Sequence, residues 1–123
     1  MFINFSNHPS EKWDKIQRRE AEKYGNIVDI PFPPVLAEEG EEYIEQLADQ
    51  SVERIFEIEN PPKAVMVQGE FNLAFAVARR LLDKNIKVLS ACTGRNVTEK
   101  TDSSGNPVKE SKFVFTRFRE YRL

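Results

Sequence analysis

The sequence predicts an α/β fold in which a mostly parallel sheet lies between helices. Three observations carry that expectation. Short β-branched or aromatic runs, clearest at Phe2 to Phe5 and Ala64 to Val67, alternate with longer stretches whose apolar residues recur at helical spacing. Glycine and proline mark the joints, at Gly25, Pro31-Phe32-Pro33-Pro34 and Asn60-Pro61-Pro62. The resulting order, β-α-β-α-β-α-β-β, suits right-handed crossovers in a three-layer domain, and 123 residues leave room for one domain over 1–123.

The first strand is read over Phe2 to Ser6. A helix is expected from Pro9 or Ser10 to Tyr24, with Trp13, Ile16, Glu20 and Tyr24 at helical spacing, Pro9 in its first turn and Gly25 as a left-handed cap. Asn26 to Ile30 forms the second strand, and the prolines that follow make an extended connection. A second helix runs from Glu41 to Glu59, its apolar face made by Ile44, Leu47, Ala48, Ile55 and Ile58. Ala64 to Val67 reads as a strand buried on both faces. Helix three, Phe71 to Lys84, is apolar over most of its circumference, which predicts deep packing. Ile86 to Cys92 is the fourth strand. Thr93-Gly94-Arg95 is expected at its end, a turn falls near Ser103-Ser104-Gly105-Asn106, and Lys112 to Arg119 returns antiparallel at the sheet edge. A strand order of 2-1-3-4-5 places the turns after strands one and three across a switch point, where such sheets bind ligands.

Composition narrows the functional classes. No tract is long enough to cross a bilayer, and the polar residues directly after Phe2 to Phe5 do not suit a signal peptide, so a cytoplasmic protein without a membrane partner is expected. A single cysteine and a single histidine exclude an internal disulfide and the usual zinc clusters, so neither a metal nor another cofactor is expected. The net charge of −2 leaves no footprint for duplex DNA. Charge is unevenly distributed all the same. Glu38, Glu39, Glu41, Glu42 and Glu45 form an acidic block, and Arg117, Arg119 and Arg122 a basic tail.

Three turns hold the candidate site residues. Ser6, Asn7, His8, Pro9 and Ser10 bring hydroxyl, amide and imidazole groups to the start of a helix, where they can meet a phosphate or a base edge or simply cap the helix. Histidine also exchanges protons near neutral pH. In Gln68-Gly69-Glu70-Phe71-Asn72, Gly69 admits a ligand near the backbone, Gln68 reads a polar group, and Glu70 either acts as a base or orienter for a ribose hydroxyl or serves as a first-turn acid. In Thr93-Gly94-Arg95, Arg95 is the candidate for neutralising phosphate, with a surface arginine as the alternative. Trp13 and Phe71 can stack on a base or pack as ordinary aromatics.

The segments FINFSNHPSEKW, VMVQGEFNLAFAVARRLL, VLSACTGRNV and KFVFTRFREY together resemble the small stand-alone CRISPR-associated proteins of the CARF, or CRISPR-associated Rossmann fold, type, several of which are ring nucleases. The resemblance covers nearly the whole chain and implies a Rossmann-like domain. It also implies a cyclic oligoadenylate ligand, held between the loop after strand one and the turn after strand three and shared across a homodimer. In ring nucleases a ribose 2′-hydroxyl attacks the adjacent phosphate without a metal, which switches off type III CRISPR signalling. By that resemblance Arg95 would stabilise charge, Ser10 or His8 would contact phosphate or hydroxyl, and Glu70 would orient the ribose. Ser6, Asn7, Pro9, Trp13, Gln68, Gly69, Phe71, Asn72, Thr93 and Gly94 would line the ligand. Glu70 departs from the small or basic residue that suits phosphate. A sensor that binds without cutting and a protein-interaction subunit are the alternative readings.

Overall fold

Alternation between apolar strands and amphipathic helices folds the chain into three layers, described here from a computed structural model of residues 1–123, the side chain of Asn96 excepted. The strands are β1 (Phe2–Ser6), β2 (Ile27–Pro31), β3 (Ala64–Val67), β4 (Lys87–Thr101) and β5 (Pro107–Glu120). Helix α1 (Lys15–Glu22) follows β1, α2 (Glu41–Ile58) follows β2, and α3 (Phe71–Asp83) follows β3. The sheet has the order β2-β1-β3-β4-β5 and is parallel except for the β4–β5 pair.

Two apolar clusters hold the layers together. On one side of the sheet Ile3, Phe5, Val65, Val67 and Val88 meet Ala48, Val52 and Ile55 of α2 and Leu73, Val77 and Leu81 of α3. On the other, Phe2, Ala64, Met66 and Leu89 meet Ala21, with Trp13, Tyr24 and Phe118 closing the rim. Both β1 and β3 are buried along their whole length, as expected of strands covered on two faces. Each fully buried Leu, Val or Phe contributes roughly 1.5–3 kcal/mol through burial.

Several expectations need correction. The first helix is not continuous, because Trp13 is extended and Asp14 restarts the chain as an N-cap, its carboxylate accepting the Gln17 N–H at 2.8 Å. Only a short 3-10 turn, Ser10–Lys12, precedes it. Pro31 closes β2, which the sheet tolerates because β2 is an edge strand. Helix α3 is not packed all round: Phe71 is 90% and Phe75 68% exposed.

The largest difference lies beyond Cys92. Thr93-Gly94-Arg95 is not a turn but part of β4, which continues to Thr101 and reverses through a loop closed by Asp102 and Gly105. Pairing of β3 with β4 stops at Met66 with Leu89, whereas β4 and β5 stay paired out to Thr101 with Pro107. The outer half of this hairpin therefore stands clear of the sheet as a two-stranded arm. A bulge between Cys92 and Thr93 pairs Cys92 with Arg117 but Thr93 with Phe115, so that Thr116 has no partner in the register.

Candidate functional site

The turn after β1 is shaped from beneath by a polar network rooted in the sheet. Asn4 stands between Ile3 and Phe5 in the middle of β1 and is only 1% exposed. Its amide Nδ2 donates to the His8 carbonyl at 2.9 Å and to Asp29 Oδ1 at 3.0 Å. The Ser6 hydroxyl donates to Asn4 Oδ1 at 2.6 Å and accepts the His8 N–H at 3.1 Å. Both the N–H and the hydroxyl of Ser10 donate to Asp29 Oδ2, at 3.0 and 3.2 Å. No buried side-chain nitrogen or oxygen among the described residues lacks a partner, so the network is complete. The hydroxyls of Ser6 and Ser10 thus hold the loop and are not free to meet a ligand. Asn7, His8 and Pro9 are exposed above it.

These three residues line a cavity of about 610 Å³ at the carboxyl ends of β1 and β3. Trp13, Lys12 and Gln17 wall it on the α1 side, Met66 comes from β3 and Gln68 from the turn after it, and Thr93, Phe113 and Phe115 come from the arm. The Trp13 indole is locked in place by its Nε1–H, which donates to the His8 carbonyl at 3.0 Å, and by edge contact with Phe2. Gln68 Oε1 accepts the Ala91 N–H at 2.7 Å, which bridges β3 and β4 where their backbone pairing has ended. Among the described residues its Nε2 has no protein acceptor and remains available as a donor. A lysine, an imidazole, the Asp14 carboxylate, amides and aromatic rings converge here, a mixture that suits small polar ligands with flat groups.

Not all candidate residues gather there. Asn7, His8, Pro9, Trp13, Gln68 and Thr93 line the cavity. Glu70 is the N-cap of α3, its carboxylate accepting the N–H groups of Asn72 at 3.2 Å and Leu73 at 2.9 Å, which is why an acid stands at that turn. Gly69 is required by packing and not by a ligand: a β-carbon would lie 2.5 Å from the ring of Phe32. Phe71 and Asn72 sit over two other grooves, on the α2–α3 side. Gly94 lies within β4, where a β-carbon would approach Thr116 to 3.3 Å. Arg95 pairs with Phe113 across the arm and donates from Nε to the Ser111 hydroxyl at 3.0 Å. Cross-strand partners share a face, so Arg95 stands on the cavity-facing side of the arm at the rung of Phe113, beside the cavity without lining it.

Sequence reasoning missed Lys12, Met66, Phe113 and Phe115 as lining residues. A signal existed for the last two, because residues of a hairpin strand two apart share a face. It required knowing that β4 runs straight through Thr93-Gly94-Arg95.

Two titrating groups outside the cavity are displaced from their ordinary values. Arg80 is held more firmly protonated by its hydrogen bond to Glu45, with Asp49 assisting and burial opposing. Burial raises the Tyr121 phenol above its ordinary value near 10; its hydroxyl donates to the Val67 carbonyl at 3.2 Å.

Fold and cavity together define an α/β protein with a crevice at the switch point of a mostly parallel sheet. The chain belongs to the Uncharacterized protein MJ1673 family, whose sequence pattern matches residues 1–119. No curated protein matches it, and no solved structure does. No helix is long and apolar enough to cross a membrane among the described residues.

Proposed function

We propose that this chain binds a cyclic oligoadenylate in the cavity between the loop after β1, Gln68 and the β4–β5 arm. One observation carries the reading: the aromatic side chains of Trp13 and Phe113 line the same space as Lys12, His8, Asn7 and Gln68. Stacking on aromatic rings is worth about 1–3 kcal/mol per base, and lysine and histidine supply donors for phosphate oxygens. A cavity of about 610 Å³ falls within the range of single small-molecule sites, so part of a ring of nucleotides occupies it and the remainder extends along the arm toward Arg95. The resemblance to CARF proteins supplies the choice of ligand; the residues supply the chemistry.

Cleavage is a second reading, favoured by the presence of both His8 and Lys12 in the cavity. In that reaction the ribose 2′-oxygen bonds to the adjacent phosphorus and gives up its proton, the bond to the 5′-oxygen breaks, and that oxygen takes a proton. His8 would move a proton and Lys12 would face the charge on the phosphate. Glu70 has no place in this scheme because its carboxylate caps α3.

Titration calorimetry of the full chain with cyclic tetra- and hexa-adenylate, with linear oligoadenylate and AMP as controls, tests binding. Saturable binding of a ring, weakened by Lys12→Ala, is the expected result. Equal or absent binding of all four ligands overturns it. Chromatography of the same mixtures in EDTA separates the two readings: intact rings after long incubation leave binding alone, and a 2′,3′-cyclic phosphate product establishes cleavage.

A further inference from the structure

The α2–α3 side of the molecule carries an apolar ridge that nothing within the chain covers. Phe71 and Phe75 lie one helical turn apart on α3 and are the exposed residues of the ridge; the same line continues through Ala78, which is buried, to half-buried Leu82. Exposed large apolar groups in a contiguous row mark an interaction surface more often than scattered ones do. The charges on either flank identify the partner.

On one flank lies the groove between α3 and the start of α2, where Phe75 faces Glu39, Glu41 and Glu45. Glu45 is engaged with Arg79 and Arg80, but Glu38, Glu39, Glu41 and Glu42 form no ion pair among the described residues. On the other flank a second groove brings Phe71 and Phe75 beside Ser90, Tyr121 and Arg122. Arg119 pairs with Ser90 and Arg117 with Cys92, so both arginines stand on this same face of the β5 edge. Neither makes an ion pair among the described residues. The acidic block and the basic tail thus border one apolar ridge from opposite sides.

A surface with both complementary halves suits a second copy of itself. A two-fold axis running in the interface parallel to the ridge brings each acidic flank against the basic flank of the other copy, whereas an axis perpendicular to the ridge would set like charges together. We propose that two copies of this chain associate through the Phe71–Phe75 ridge, the acidic block of each meeting Arg117, Arg119 and Arg122 of the other. This inference goes beyond the ligand reading and does not depend on it. The cavity opens on the α1 side of the sheet, so each copy keeps its own cavity uncovered.

Sedimentation of the full chain over a concentration series, without nucleotide, tests the association. A monomer–dimer equilibrium is expected, weakening as salt rises from about 50 mM to about 500 mM because the flanking charges are screened. Phe71→Asp and Phe75→Asp should each raise the dissociation constant at least about tenfold, with the circular dichroism spectrum retained. The decisive arm uses charge reversal. Arg117→Glu/Arg119→Glu and Glu41→Lys/Glu42→Lys should each be monomeric alone, and mixing them should restore a dimer, since both flank contacts are then complementary again. A wild-type chain that stays monomeric throughout, a dimer indifferent to Phe71→Asp, or a mixture that fails to associate would each overturn the proposal. Ligand binding by a monomeric variant would leave the cavity reading intact.

Discussion

Asp29 Oδ2 accepts both the main-chain N–H of Ser10, at 3.0 Å, and its hydroxyl, at 3.2 Å. The carboxylate thereby ties the strand after α1 to the loop after β1, and its other oxygen receives the buried amide of Asn4. Replacing Asp29 with Ala leaves three donors without their acceptor. A loss of about 1–3 kcal/mol in urea unfolding is expected, with the slope unchanged, together with weakened ligand binding because Asn7 and His8 lose their support. An unfolding midpoint equal to wild type would show that water replaces the carboxylate without cost.

Gly69→Ala should destabilise by about 1–3 kcal/mol through overpacking, because Phe32 is only 4% exposed and cannot swing aside. Combining it with Phe32→Leu should cost less than the sum of the two single changes. Strict additivity in a double-mutant cycle would rule out the clash.

Glu70→Ala removes the N-cap of α3 and should cost about 1 kcal/mol, while Glu70→Asp retains most of it. Neither change should alter the affinity for a cyclic oligoadenylate. A tenfold loss of affinity in the Asp variant would return Glu70 to the binding site.

Phe113 is 74% exposed, so Phe113→Ala should leave stability within about 0.5 kcal/mol of wild type. Ligand affinity should nonetheless fall by roughly tenfold or more, the worth of one stacked base. Trp13 is the sole tryptophan of the chain, so its fluorescence reports occupancy directly. Binding without any change in that emission would place the ligand elsewhere.

Tyr121 predicts an alkaline loss of stability. Burial raises its folded-state pKa above the unfolded value near 10, so above that pH the unfolded chain binds fewer protons than the folded one. Stability is therefore unaffected by this group below about pH 9 and declines as pH rises through 10 and beyond. Tyr121→Phe should flatten that decline in unfolding curves measured from pH 8 to pH 11.

The central elements were legible in the sequence for physical reasons. Ala64 to Val67 is apolar on both faces and bounded by Pro62 and Gly69, so its limits were plain, and the acidic start and apolar face of α2 announced its register. Less was legible where a residue's role depends on a distant partner. Ser6 and Ser10 look like ligand contacts until Asn4 and Asp29 are seen to occupy them. Gly69 looks like room for a ligand until Phe32, thirty-seven residues earlier, is found beneath it. Thr93-Gly94-Arg95 carries turn-forming residues, yet fifteen residues of continuous strand override that local preference. Asn4 was the unused clue: an amide inside a buried strand demands partners, and those partners shape the site.

The unpaired Thr116 acts as a parity bit for the arm. Side chains along a strand alternate between faces, so one additional residue exchanges inside and outside for everything past it. Inward from the bulge, Phe118 packs under α1 beside Phe2; outward, Phe115 and Phe113 return to that same side only because the bulge leaves Thr116 out of the alternation. Deleting Thr116 would abolish the bulge and leave both phenylalanines facing the cavity, whereas pairing Thr116 in regular register opposite Thr93 would turn both away and carry Val114 and Lys112 toward it. A single uncounted residue thus determines whether the arm faces the cavity with aromatic rings or with an aliphatic and a cationic side chain.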